Sequence, residues 1–167
     1  MTEPPRFLPE RIFAALDDAG VSHVVIGGIA SVLHGSPLRT GDADICPADT
    51  DENRAALAVA LTALRAGIRT DRGDVIPVSL DARLLAANAT WNLTTAFGDL
   101  DIAFRPAGTD GYDDLVTNAV RYELEDGLVV VVASIDDVIR SKRAAGRPKD
   151  REALPVLEEL RRRAEFE

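Results

Sequence analysis

Residues 24–46 read VVIGGIASVLHGSPLRTGDADIC, and no other stretch narrows the possible folds as far. Val24, Val25 and Ile26 suit a strand; Gly27-Gly28 then opens a short helix that runs to about His34 and stops at Gly35. A second strand follows, in which Asp42 and Asp44 alternate with Ala43 and Ile45. Residues two apart on a strand point to the same face, so the two carboxylates project side by side. Parallel carboxylates repel unless a cation sits between them, and hard oxygen ligands select Mg²⁺ or Mn²⁺. The double glycine lets backbone amides approach a phosphate closely. An anion cradle next to a metal-binding acid pair points to phosphoryl chemistry.

The rest of the chain supplies a frame for that stretch. Helical spacing of Ile12, Phe13 and Leu16 predicts a helix over residues 9–19, with Gly20 as its stop. Asp49 or Thr50 caps a helix that ends near Ala66, before Gly67. Residues 68–80 carry a weaker pattern: a turn over 71–74, then a strand over 75–80 with Pro77 at a sheet edge. A short helix is expected over 81–87. Strands over 90–96 and 100–104, separated by Gly98-Asp99, read as a hairpin, and so do 121–125 and 128–132 around Asp126-Gly127. Ser134 caps a helix over 135–145 that Gly146 ends, and Pro148 opens a last helical region that Pro155 should break or kink. This order predicts an α/β (α+β) domain with a mixed β-sheet flanked by helices and helices at the C-terminus.

A third acid belongs with the pair. Asp101 stands between Leu100 and Ile102, and aspartate is a poor strand former, so it needs a reason to be there. An edge-strand charge is one reason; the third ligand of a two-metal site is the other. In that scheme Asp42 and Asp44 bind both ions, while Asp101 binds one and helps deprotonate an acceptor hydroxyl. Asp99 shares that face but is expected in the turn. G-G-x-A matches neither the Walker loop nor the dinucleotide fingerprint. Arg39 and Thr40, just before the acids, are candidates for triphosphate oxygens. His23 and His34 have no metal-spaced partners and read as structural, and no Ser-His-Asp set is legible.

Charge and length set outer bounds. A chain of 167 residues fits one domain, and a net charge of −9 argues against indiscriminate nucleic-acid binding. That balance reverses locally in RSKRAAGRPKDR, residues 140–151, where six cations face one aspartate. The run is either a solvated helix end or a contact for triphosphate or an RNA backbone. No apolar stretch approaches the roughly 20 residues that a bilayer crossing needs, so no membrane role is expected. The N-terminus lacks the features of a signal peptide, and the single cysteine, Cys46, reads as a small buried hydrophobe. A cytoplasmic location follows as an expectation.

Taken together, Gly27-Gly28, Asp42-Ala43-Asp44 and Asp101 resemble the nucleotidyltransferase superfamily that includes DNA polymerase beta. The longer strings GGIASVLHGSPLRTGDADI and SIDDVIRSKRAAGRPKD resemble the branch of abortive-infection (AbiEii-like) toxins. The resemblance spans residues 24–157 and implies the minimal nucleotidyltransferase fold. It divides the chain into a catalytic core over 1–133 and a helical extension over 134–167 packed on it. It further implies Mg²⁺ (or Mn²⁺) and transfer of a nucleoside monophosphate from an NTP to an acceptor hydroxyl. Under it, Ser31 joins Gly28 at the triphosphate, Lys142 and Lys149 contact phosphates, and Asp150 supports the site. In toxin members the acceptor is often the tRNA 3′ end and an antitoxin protein is the partner. A small cationic acceptor such as an aminoglycoside, a partner protein, and a non-catalytic nucleotide-binding module are the alternatives.

Overall fold

The computed structural model describes residues 3–166. In chain order the elements are α1 (Pro9–Asp18), β1 (His23–Ile26), α2 (Gly27–Leu33), β2 (Asp42–Pro47), α3 (Asp51–Ala63), β3 (Gly67–Arg69), β4 (Val75–Ile76) and α4 (Ala82–Leu85). They continue with β5 (Thr90–Thr95), β6 (Gly98–Ala103), α5 (Tyr112–Thr117), β7 (Val120–Glu123), β8 (Val129–Val132), α6 (Ile135–Ala145) and α7 (Pro148–Glu165). The strands form one mixed sheet in the order β4-β3-β5-β6-β2-β1-β8-β7. Two of its pairings are parallel, β2 with β6 and β1 with β8; the others are antiparallel.

The sheet is amphipathic in the way the alternation in β2 requires. Ala43, Ile45, Leu100 and Ile102 are at most 1% exposed and share a core with Ile12, Phe13 and Leu16 of α1 and Leu57 and Leu61 of α3. Asp42, Asp44, Asp99 and Asp101 occupy the opposite face. Cys46 is buried, and burial pushes its thiol up to about 12, which suits a packing role. The cap positions are as anticipated: Thr50 Oγ1 accepts from the Asn53 amide at 3.1 Å, and Ser134 Oγ from the Asp137 amide at 3.1 Å. Gly146 closes α6 in the left-handed conformation, φ +61°.

Four expectations need correction, and one helix was not anticipated. The helix over the fifties ends at Ala63, because Arg65 takes the left-handed turn (φ +54°), and Gly67 starts β3 instead of stopping a helix. A Cβ on Gly67 would lie 2.6 Å from Val75 Cγ1, so glycine there serves close strand pairing. The strand after the 71–74 turn is only Val75–Ile76, since Pro77 has no amide to continue the ladder. The β5–β6 hairpin turns at Ala96-Phe97, and Thr95 pairs with Gly98. Gly98 has φ +109° and yields room to Phe7, whose Cδ1 would be 2.8 Å from a Cβ, so Asp99 lies inside β6. Residues 112–117, which carry no strong pattern, form α5 behind Gly111 (φ +90°). Finally, α7 runs on through Pro155 without a break.

Asn53 ties the two strands of the signature stretch together. Its Oδ1 accepts from the Ser22 amide at 2.8 Å, and its Nδ2 donates to the carbonyls of Ser22 at 2.9 Å and Ala48 at 2.8 Å. The side chain is thus bonded to the entry of β1 and the exit of β2, and the residue is 7% exposed. Asn53→Ala would take the side-chain partner from the Ser22 amide and the Ala48 carbonyl in a part-buried setting, while the Ser22 carbonyl would keep the Ala48 amide. We expect a loss of roughly 2–3 kcal/mol in chemical denaturation, with an unchanged m-value.

Candidate active site

The parallel pairing of β2 with β6 sets Asp42 beside Asp99 and Asp44 beside Asp101. Carboxylate oxygens of Asp42, Asp44 and Asp101 come within 4.8 Å of one another. All three side chains are half-buried, so water screens their repulsion poorly. Burial first, and then the charges of Asp42 and Asp101, push Asp44 up to about 7, although Lys149 and Lys142 pull the other way. Burial and a hydrogen bond with Asp42 raise Asp101 to about 6, against the pull of Arg69. A divalent cation bound by hard oxygens removes this repulsion, so the donor set fits Mg²⁺ or Mn²⁺.

The double glycine is required by this cluster. Gly27 has φ +67° and no space for a side chain: a Cβ would sit 2.8 Å from Asp44 Cγ. A Cβ on Gly28 would lie 2.7 Å from that of Thr40. The start of α2 is therefore seated directly on the acids, and its first-turn amides have no helical acceptors. Thr40 Oγ1 lies 3.2 Å from Asp42 Oδ1 and is placed to donate to it. The far end of α2 is fixed by His34. Its Nε2 donates to the Ala133 carbonyl at 2.7 Å, which leaves Nδ1 to accept from the Tyr122 hydroxyl at 3.1 Å. That arrangement gives His34 the structural role expected of it.

A cavity of about 780 Å³ opens over the acids, and every site residue expected from the sequence lines it. Ser31 is 5% exposed, and its hydroxyl donates to the Gly27 carbonyl at 3.2 Å. Arg39 is exposed at the cavity rim. Lys142 projects from α6, its Nζ 3.6 Å from Asp150 Oδ1, and Lys149 lies exposed in the first turn of α7. Asp150 itself is 0% exposed and accepts from Arg147 Nε at 2.7 Å and from the Arg147 amide at 3.2 Å. Burial would raise its pKa, but the bonds and charge of Arg147 together with Lys142 outweigh that and hold it low. Asp150 therefore anchors cations at the α6–α7 junction and stands apart from the three converging acids.

Three features escaped the sequence. Arg69, from the stretch with weak pattern, pairs with Asp101 Oδ1 at 2.6 Å and Asp99 Oδ2 at 3.3 Å. Asn92, opposite Asp101 on β5, and Arg105, just beyond β6, line the cavity. The basic run is largely neutralised from within: Arg140 pairs with Asp114 and Asp137, Arg143 with Glu158 and Arg147 with Asp150. Arg161, Arg162 and Arg163 likewise meet Asp136 and Glu159. Among the described residues, no helix is long and apolar enough to cross a membrane.

No protein-family model matches the chain, and no curated protein does. Solved structures do share its fold. The lincosamide antibiotic adenylyltransferase LnuA, solved with lincomycin bound, superposes with a TM-score of 0.60 at 15% identity, covering 93% of this chain and 99% of that one. A provisionally assigned nucleotidyltransferase from Thermotoga maritima gives 0.56 at 17% identity, covering 90% and 94%. The antibiotic-resistance factor ANT(2'')-Ia gives 0.52 at 20% identity, covering 95% and 90%. The chain thus has the nucleotidyltransferase fold: a mixed sheet flanked by helices, with helices at its C-terminus.

The acid cluster has a measurable signature. Folded Asp44 keeps its proton up to about pH 7, whereas the unfolded chain releases it near 4, so the folded state binds more protons between those values. This group's contribution to stability is therefore present below pH 4 and lost as pH rises through about 7. Asp44→Asn should stabilise the metal-free chain at pH 8 by roughly 2 kcal/mol and flatten the pH dependence of its melting. Millimolar Mg²⁺ should raise the wild-type midpoint at pH 8 and leave that of the variant nearly unmoved.

Proposed function

We propose that the chain is a metal-dependent nucleotidyltransferase that moves a nucleoside monophosphate from an NTP to an acceptor hydroxyl. The convergence of Asp42, Asp44 and Asp101 beside the Gly27-Gly28 turn carries this reading. In it, these three side chains hold Mg²⁺ (or Mn²⁺), which neutralises developing phosphate charge and makes the acceptor hydroxyl more acidic. The α2 amides, Ser31 and Thr40 receive the triphosphate, and Lys142, Lys149 and Arg39 meet its outer oxygens. The acceptor oxygen bonds to the α-phosphorus as the bond to pyrophosphate breaks, and Asp101 helps take up the hydroxyl proton. Residues 1–133 act as the catalytic core, while 134–167 form an extension whose task is to bring Lys142 and Lys149 to the phosphates.

A small acceptor is favoured over RNA. The cations that an RNA backbone would need over residues 140–163 are mostly engaged with acids of the same chain. A net charge of −9 suits a neutral or cationic molecule better than a polyanion. Two structures of like fold, LnuA and ANT(2'')-Ia, are described as an antibiotic adenylyltransferase and a resistance factor. The second reading is the AbiEii-like one, with the tRNA 3′ end as acceptor and an antitoxin as partner; the lettering of residues 134–150 supports it.

The test is incubation of purified protein with Mg²⁺ and each α-labelled NTP, against lincomycin, aminoglycosides, total tRNA and protein extract. Label should pass to a small acceptor and fall about 100-fold or more in Asp42→Asn and Asp44→Asn. Label on tRNA would favour the toxin reading. NTP binding with no transfer to any of them would leave a nucleotide-binding module in place of an enzyme.

A further inference from the structure

Among the described residues, two buried side-chain polar atoms lack a hydrogen-bond partner, His23 Nε2 and Asp137 Oδ2. His23 opens β1 outside the cavity over the acids, whereas Asp137 lines that cavity. Asp137 stands in the first turn of α6 and is 7% exposed. Its Oδ1 accepts from Arg140 Nη2 at 3.0 Å, and its backbone amide donates to Ser134 Oγ. The order Ser-x-x-Asp would let the carboxylate return a bond to the Ser134 amide, as Asp150 does to the Arg147 amide, but Oδ2 makes no such bond. Helix capping and the Arg140 pair therefore account for one carboxylate oxygen and leave the other without a donor. A buried acceptor in that condition is costly.

We propose that Asp137 Oδ2 accepts a hydrogen bond from a ribose hydroxyl of the bound NTP, which makes Asp137 the residue that reads the sugar. The inference rests on the nucleotidyltransferase reading. Asp137 and Lys142 both line the cavity from α6, and Lys142 meets phosphates in that reading. At the rise of an α-helix they stand about 7.5 Å apart along its axis. That is the scale of the step from the middle of a triphosphate to the hydroxyls of its sugar. Helix α6 also packs on α2, whose first-turn amides receive the triphosphate. The acceptor belongs to the other wall: Asp101, which helps take up its proton, is on β6, three strands across the sheet from the β8 that leads into α6. A sugar hydroxyl suits the single free oxygen, since it donates one bond and leaves Oδ1 to Arg140. Carboxylates serve ribose in this way in dinucleotide-binding folds. A small turn about the soft final torsion of aspartate brings Oδ2 to the ligand, and the long Arg140 side chain can follow it.

Calorimetric binding of α,β-methylene NTPs of the four bases with Mg²⁺, each in ribo, 2′-deoxy and 3′-deoxy form, tests this without any acceptor. Wild type should bind the ribo form about tenfold more tightly than the form that lacks the contacted hydroxyl. Asp137→Ala should bind the ribo and deoxy forms alike, whereas Asp137→Asn, whose amide can still meet a hydroxyl, should keep part of the preference. A purely structural Asp137 would instead weaken every form by the same factor in Asp137→Ala, and that result overturns the proposal. So does a wild type that binds all three sugars equally, a comparison that needs no variant to fold. If Asp137→Ala raises the KM of an acceptor while the sugar ratio stays as in wild type, the hydroxyl belongs to the acceptor and the proposal falls. A wild type that binds no NTP at all would remove the nucleotidyltransferase reading, and this inference with it.

Discussion

Four carboxylates on two adjacent parallel strands are the constraint that the rest of the structure answers to. The β2–β6 register sets acid beside acid twice, Asp42 with Asp99 and Asp44 with Asp101, on a half-buried face. Repulsion of that kind is tolerated only with compensation built in around it. Arg69 supplies it from β3, Lys142 from α6, and the Thr40 hydroxyl meets Asp42. Burial first, and then the neighbouring acids that the chain leaves uncompensated, raise the pKa values of Asp44 and Asp101. The opposite face bears the cost in stability, with Ile45, Leu100 and Ile102 buried against the helices.

Glycine placement follows from the same acids. Gly27 is the position where the backbone meets the Asp44 side chain, and only a residue without Cβ fits both that contact and a φ of +67°. The helix that begins there is pinned at its other end by His34 to β8 and to Tyr122. Cradle and acids therefore hold a fixed separation, which is what positioning a phosphate against a cation demands.

Strong local patterns made much of this legible in the sequence. The alternation in β2, the double glycine, the Ser134 cap and an aspartate between Leu100 and Ile102 each carry a physical signal that survives without coordinates. Arg69 carried none, since its role comes from β3 pairing with β5, and that pairing is set by a three-residue strand. Gly98 misled because glycine marks turns and also marks close contacts; here it gives way to Phe7, and the turn falls two residues earlier. The basic segment was legible only in part. Its charges were correctly counted, but pattern alone could not tell that Asp114, Asp137, Asp150 and Glu158 fold back onto them. Pro155 failed to break α7 because tertiary packing of Ala153 and Leu157 outweighs one missing helical bond.

The parallel pairing also dictates when the site comes into being. A parallel neighbour cannot be reached through a tight turn, so Asp44 waits for a strand that the chain supplies only after α3, β3 and β5. Val25 waits longer still, for Val132. Contacts so distant in sequence carry a large loop-closure entropy and form slowly. During synthesis, then, Asp42 and Asp44 emerge well before the strand that will lie beside them, and the nascent chain carries these acids for a long stretch without an assembled centre.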